Sequence, residues 1–165
     1  MLDNLENTSE WQRYRISQAT AWLERVRKLV GYRDSLEASA AAQLEAADNL
    51  RGMDYSAVHV QTSPTADAIP NAIIRHEEAA DALKAIADDA AARMVQAARA
   101  LAQMTDPNEA RALHLYYVDA LDGWERVCVE MGYSYDGLMK LRRRALLHAY
   151  DVMPHTERDS LPPAI

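Results

Sequence analysis

The 165-residue sequence predicts an all-α protein, a long antiparallel helical hairpin of coiled-coil type followed by a small C-terminal helix-turn-helix domain. Three observations predict it. Only 5 glycines and 6 prolines occur, so long stretches can stay helical without interruption. Two segments carry apolar residues at spacings of three and four, the rhythm of one helical face. The last third changes character, to short helices separated by capping residues and a glycine. The expected organisation is an arm over residues 1–105, with an irregular connection near 51–70. A helix-turn-helix domain over 106–153 and a tail over 154–165 follow.

Composition narrows the function classes. Hydrophobic residues make up 49% of the chain, but many are alanines, and phenylalanine is absent. Alanine removes little apolar area from water, so a wide core is not expected. The formal net charge of -7 excludes a uniformly basic nucleic-acid coat. It leaves room for a local basic face, because a DNA backbone responds to charges within about 10 Å at moderate salt. Residues 140–144 hold four basic side chains and no acid. The single cysteine, Cys128, cannot form an internal disulfide, and zinc needs about four ligands. Its neighbours Val127 and Val129 point to a buried or half-buried thiol in a reducing compartment. No transmembrane-length apolar run and no signal segment stands out. A cytoplasmic, soluble protein without metal or cofactor is expected.

The first helix is expected over residues 11–50, with Ser9 as its cap. Trp22, Val26, Leu29, Leu36, Leu44, Ala47 and Leu50 form its stripe. Gly31 interrupts the pattern and is read as a weak point in one long helix. Residues 51–70 hold Gly52, Pro64 and Pro70, with Val58 and Val60 suggesting a short extended piece inside a surface connection.

The helical pattern resumes over 70–104 with Ile73, Ala80, Leu83, Ala87, Ala90, Met94, Ala97, Leu101 and Met104. From Ala80 onward the steps alternate between three and four. That heptad rhythm asks for a partner helix, which the first helix can supply by folding back. The apolar side chains left over, including Trp11, Trp22 and the outward Leu147, predict a homodimer through the arms.

A new helix starts at Asp106 and Pro107, as cap and first residue. Glu109 stands three residues after the cap, the spacing of a capping box. Ala110, Leu113 and Tyr117 lie on its inner side, and residues 119–121 close it. Asp122 is read as the next cap, before a helix turning Trp124, Val127 and Met131 inward. Gly132 follows, able to take positive φ at a helix end. Ser134 caps the last helix, whose core side holds Leu138, Leu141, Ala145 and Ala149; Pro154 ends it.

Two short helices joined by a glycine turn, the second of them basic, make a helix-turn-helix pattern. With Leu138 and Leu141 inward, Asp136, Lys140 and Arg143 fall on the opposite side at 100° per residue, flanked by Met139, Arg142 and Arg144. The outward face suits the major groove. Arg143 is read as a base contact, Arg142 and Arg144 as phosphate contacts, and Asp136 as an acceptor from cytosine or an anchor for an arginine. Ser134, Tyr133 and Tyr135 stand where hydroxyls and helix-start amides meet phosphates. Leu147 also faces outward and predicts packing against the tail or a second subunit. Outside this pattern no paired carboxylates, metal spacing or phosphate loop stands out, so no enzymatic activity is expected.

Residues 108–152, with the run ALHLYYVDALDGWERVCVEMGYSYDGLMKLRRRALLHAY, resemble region 4 of sigma-70-type factors. The likeness is to the compact version in small phage and prophage transcriptional regulators of the late-gene type. It implies residues 124–131 as supporting helix, Gly132 as the turn and residues 135–147 as recognition helix. It further implies that Tyr135, Asp136, Met139, Lys140, Arg143 and Arg144 occupy groove or phosphate positions. Double-stranded DNA, with RNA polymerase as a partner, is the implied target. The arm shows nothing like a promoter-melting or polymerase-core-binding region, so a complete sigma factor is not implied. Two other readings fit the same pattern: a phage DNA-packaging adaptor of small-terminase type, and a helical protein-interaction module.

Overall fold

The structure is a computed structural model that describes residues 9–53 and 67–158. All regular elements among the described residues are helical. They are α1 (Ser9–Gly52), α2 (Ala68–Leu101), α3 (Pro107–Leu113), a π-helical turn (His114–Val118), α4 (Trp124–Met131), α5 (Tyr135–Val152) and a 3-10 turn (His155–Glu157). The expected extended piece at Val58 and Val60 and most of the connection near 51–70 lie outside the described residues, as does most of the tail over 154–165. No helix among the described residues is long and apolar enough to cross a membrane.

The two long helices form where the stripes predict them. α1 runs through Gly31 without a break. Ala19, Trp22, Leu23, Val26, Leu36, Ala40 and Ala47 are its buried residues. Ser9 is not a cap but lies within the helix; its carbonyl and hydroxyl accept from the Arg13 guanidinium at 3.1 and 3.2 Å. On α2 every residue of the predicted stripe is buried or half-buried. That helix begins at Ala68, which puts Pro70 in its first turn, where no intrahelical N–H is lost. It ends at Leu101, and Met104 is held by its amide donating to the Leu101 carbonyl at 3.0 Å.

The chain divides into two compact units, Met1–Val30 with Ala92–Ile165, and Gly31–Ala91. Among the described residues of the second unit, all but Met53 and Asp67 are helical. Its buried side chains are Leu36 and the alanines 40, 47, 80, 87 and 90. Gln43 Oε1 and His76 Nδ1 lie 2.7 Å apart, and Arg51 pairs with Glu77 and, at 2.9 Å, with Asp48.

The first unit has a thicker core, combining Trp22, Leu23, Val26, Leu101, Leu113, Tyr117, Trp124, Val127, Leu138, Leu141, Leu146 and Met153. Three local expectations are corrected within it. Glu109 does not close a capping box: it is 1% exposed, and its carboxylate accepts from Arg144 and pairs with His148 at 2.6 Å. Helix α3 does not stay regular through Tyr117 but widens into the π-helical turn, with the Asp119 amide donating to the His114 carbonyl at 3.0 Å. Asp122 does not cap α4. Gly123 takes that place at φ 86°, a region that disfavours any side chain. Cys128 is buried as expected, although of its two neighbours Val127 is buried and Val129 is 79% exposed.

The remaining local signals hold. Asp106 caps α3, accepting from the Asn108 amide at 2.8 Å and the Glu109 amide at 3.4 Å, with Pro107 first in the helix. Arg158 closes the end of α5, donating to the carbonyls of Tyr150, Asp151 and Met153 at 2.8, 3.1 and 3.1 Å. Such a cation also opposes the negative end of the helix dipole.

Candidate nucleic-acid interface

Helix α4 is short because both ends are set by glycine. After Met131, Gly132 takes the left-handed conformation, φ 69° and ψ 30°, and its amide donates to the Cys128 carbonyl. The Tyr133 amide donates to the same carbonyl at 3.1 Å. This is a compact helix stop in which a positive-φ glycine ends the helix and two successive amides converge on the Cys128 carbonyl. Two residues on, Ser134 is extended (φ -68°, ψ 155°), and its hydroxyl accepts from the Gly137 amide at 3.2 Å. A Cβ on Gly137 would stand 3.0 Å from that hydroxyl, so glycine suits the close approach.

Burial splits α5 into two faces. Leu138, Leu141, Ala145, Leu146 and Ala149 are at most 5% exposed. Asp136, Lys140 and Arg143 are exposed, at the i, i+4, i+7 spacing of one side. Tyr135 and Tyr133 are exposed at the N-terminal end, as is Ser134. Met139 is half-buried at the edge, and so is Leu147, whose carbonyl accepts from Arg15 at 3.4 Å. Among the described residues, Lys140 and Arg143 form no ion pair.

The two other arginines of the cluster are engaged within the protein. Arg142 is half-buried, with its guanidinium carbon 4.8 Å from the centroid of the Trp124 ring. It ends a series in which Arg27 lies 4.2 Å over Tyr116, and Tyr116 stacks on Trp124 at 4.1 Å. Two cation–ring contacts and one ring stack hold this series together, and partial burial strengthens the cation–ring attraction. Arg144 donates to the buried Glu109 carboxylate and lies 3.5 Å from Asp106. Its hydrogen bond and charge attraction to Glu109 raise its pKa above the ordinary arginine value. The basic cluster therefore divides, with Lys140 and Arg143 facing outward and Arg142 and Arg144 bonded to the domain itself.

Residues that sequence patterns did not single out for this region hold the two helices in place. Arg27 donates to the Leu121 carbonyl at 3.0 Å and to the Tyr116 carbonyl, fixing the segment before α4. Trp11, Tyr14 and Tyr150 form a ring cluster with centroids 5.3–6.3 Å apart, and Arg15 lies 5.3 Å over Tyr150 and pairs with Asp151. These contacts seat the first turns of α1 beside the C-terminal half of α5. Only the residue types, aromatics and arginines outside the stripes, hinted at them. Comparison with protein-family models, with characterised proteins and with solved structures found no match.

Proposed function

We propose that this chain is a sequence-specific, non-enzymatic DNA-binding regulator of transcription. In this reading α4 and α5 form a helix-turn-helix, with α5 entering the major groove. The observation that carries it is the outward face of α5: Lys140 and Arg143 are exposed without an ion pair among the described residues, opposite a fully buried apolar face. A helix of this kind, about 10–12 Å across with its side chains, matches a groove about 12 Å wide. The left-handed Gly132 and the Ser134 cap support the assignment of the turn. The likeness of residues 108–152 to sigma-70 region 4 points the same way, to a phage-type regulator with RNA polymerase as partner.

In the same proposal α1 and α2 form an antiparallel hairpin arm that joins two copies into a homodimer in the cytoplasm. The matching buried stripes and the Gln43–His76 and Arg51–Glu77 contacts support the hairpin. Tyr32, Ile74 and Ile86 stay about half exposed and offer apolar surface to a second copy.

The division of the basic cluster sets the roles. Arg143 reads a base edge, guanine by preference, and Lys140 assists it. Arg144 is anchored through Nε to the buried Glu109 carboxylate, so a phosphate contact from it would use its remaining donors without leaving that pair. Arg142 supports the fold against Trp124. The test is selection from random duplexes, followed by fluorescence anisotropy on selected and scrambled sites. Arg143→Ala should lose about 1–3 kcal/mol on the selected site and relax discrimination at one base pair. A parent protein that binds all duplexes alike would instead favour a packaging adaptor, and one that binds none a protein-interaction module.

A further inference from the structure

We propose that α1 is a second DNA-contacting element, with Arg13 holding a backbone phosphate at a groove between α1 and α5. The proposal rests on the reading of α5 as the recognition helix and adds a contact which that reading does not contain.

An open groove of 390 Å³ runs between the two helices. Arg13, Ile16 and Thr20 line it from α1, and Met139, Arg142, Arg143 and Leu146 from α5. Each set follows the three- and four-residue steps of one helical face, so the two rows face each other along the groove. The floor is apolar: Leu146 is 3% exposed, and Ile16 and Met139 are half-buried. The rim is cationic. Arg13 is exposed, and among the described residues its hydrogen bonds go to Ser9, at 3.1 and 3.2 Å. A guanidinium has five N–H donors, so most of those on Arg13 remain for a ligand. Among the described residues neither Arg13 nor Arg143 is paired with a carboxylate, although the chain as a whole is acidic.

The occupant follows from charge and continuity. Guanidinium groups without a carboxylate partner among the described residues, above an apolar floor, match a phosphate joined to the apolar face of a deoxyribose. Arg143 belongs both to this rim and to the outward face of α5. A helix lying in the major groove has a phosphate ridge on either side, and a second helix packed 8–10 Å away meets one of those ridges. The ring cluster of Trp11, Tyr14 and Tyr150 and the Arg15–Asp151 pair hold α1 in that place, so the contact needs no rearrangement.

Anisotropy titrations of the full chain on the selected and scrambled duplexes, repeated across salt concentrations, test the proposal. Arg13→Ala should weaken binding roughly 5- to 10-fold on both duplexes and reduce the salt slope by about 1. Lys28→Ala removes the same charge from an exposed position of α1 outside the groove, and its effect should stay within about 2-fold. Neutral methylphosphonates placed one at a time should reveal a phosphate whose neutralisation weakens the parent but not Arg13→Ala. Unchanged melting curves establish that both variants fold. If Arg13→Ala binds like the parent while Arg143→Ala loses its preference, the phosphate contact is wrong and the reading of α5 stands. Equal losses from Arg13→Ala and Lys28→Ala overturn the contact as a mere effect of net charge. So does loss of an acidic, leucine-containing peptide probe with DNA affinity intact, which assigns the groove to a protein. A parent that binds no duplex overturns both readings.

Discussion

The two compact units of this chain are both helical, yet they are held by different means. In the unit Gly31–Ala91 the buried positions are five alanines and Leu36. In the other unit the buried positions include two tryptophans, a tyrosine and six leucines. Apolar burial stabilises by about 25 cal/mol per Å², and an alanine contributes little of that area. The alanine-rich unit must therefore lean on helix propensity and on spacing repeated along two long helices. The other unit has thick packing around short helices whose ends are individually capped. Hydrogen exchange in the two units should differ accordingly, since local opening follows the amount of buried apolar contact.

A matched pair of truncations tests that difference most directly. Leu113 is completely buried in the thick core, and Leu36 is 7% exposed in the alanine-rich unit. Leu113→Ala should cost about 2–5 kcal/mol of unfolding free energy. Leu36→Ala should cost about 2 kcal/mol or less, because a thin two-helix contact can close or hydrate the gap. Urea unfolding followed by circular dichroism measures both. Equal losses would break the comparison and imply that the alanine-rich unit is as tightly packed as the other.

The comparison also separates what was legible in the sequence from what was not. The stripes of α1 and α2 were legible because helical periodicity is local and repeats many times. Asp106–Pro107, Gly132 and Ser134 were legible because a cap or a stop acts within a few residues. Glu109 has the spacing of a capping box, but tertiary partners 35 and 39 residues away took its carboxylate. Asp122 lost the cap of α4 to Gly123, whose positive φ no local pattern announced. In the candidate interface, Lys140 and Arg143 fall outward as the wheel predicts. Arg142 lies only about 40° from Leu138 at 100° per residue, so geometry places it beside the core despite its charge. Its partner Trp124 could not be read from spacing, and neither could the pairing of Trp11 and Tyr14 with Tyr150, which joins positions far apart in the chain.

Alkaline pH should narrow the difference between the units. Tyr117 is fully buried, and its hydroxyl has no partner at hydrogen-bonding geometry among the described residues. Burial pushes its pKa above the ordinary tyrosine value, against an opposing effect of the Arg142 charge. The folded state therefore holds the phenol proton more tightly than the unfolded state does. That contribution is complete below the ordinary value of about 10 and is lost as pH rises through the raised folded value. The slope reaches at most about 1.4 kcal/mol per pH unit in that window. Tyr117→Phe should remove this dependence, and ultraviolet titration beside alkaline melting curves checks it. A parent and variant with superimposable alkaline profiles would mean that Tyr117 titrates normally.

The smallest effect sharpens the comparison from the weaker side. Gly31 is the first residue of the alanine-rich unit, and it sits inside α1 rather than at an end. Its φ is not positive, and a Cβ built there meets nothing within 4 Å. Neither turn geometry nor close packing calls for glycine at this point. Glycine in a helix interior is less favourable than alanine by about 0.5–1 kcal/mol, chiefly through the entropy of the unfolded chain. Gly31→Ala should therefore stabilise the protein by about that amount. The gain should concentrate in exchange protection of the flanking α1 amides, while amides of α3 and α5 change little. If stability rises without that local signature, the two units unfold as one. If it falls, the glycine has a role that open space around its Cα does not explain, and propensity is not what holds the alanine-rich helices.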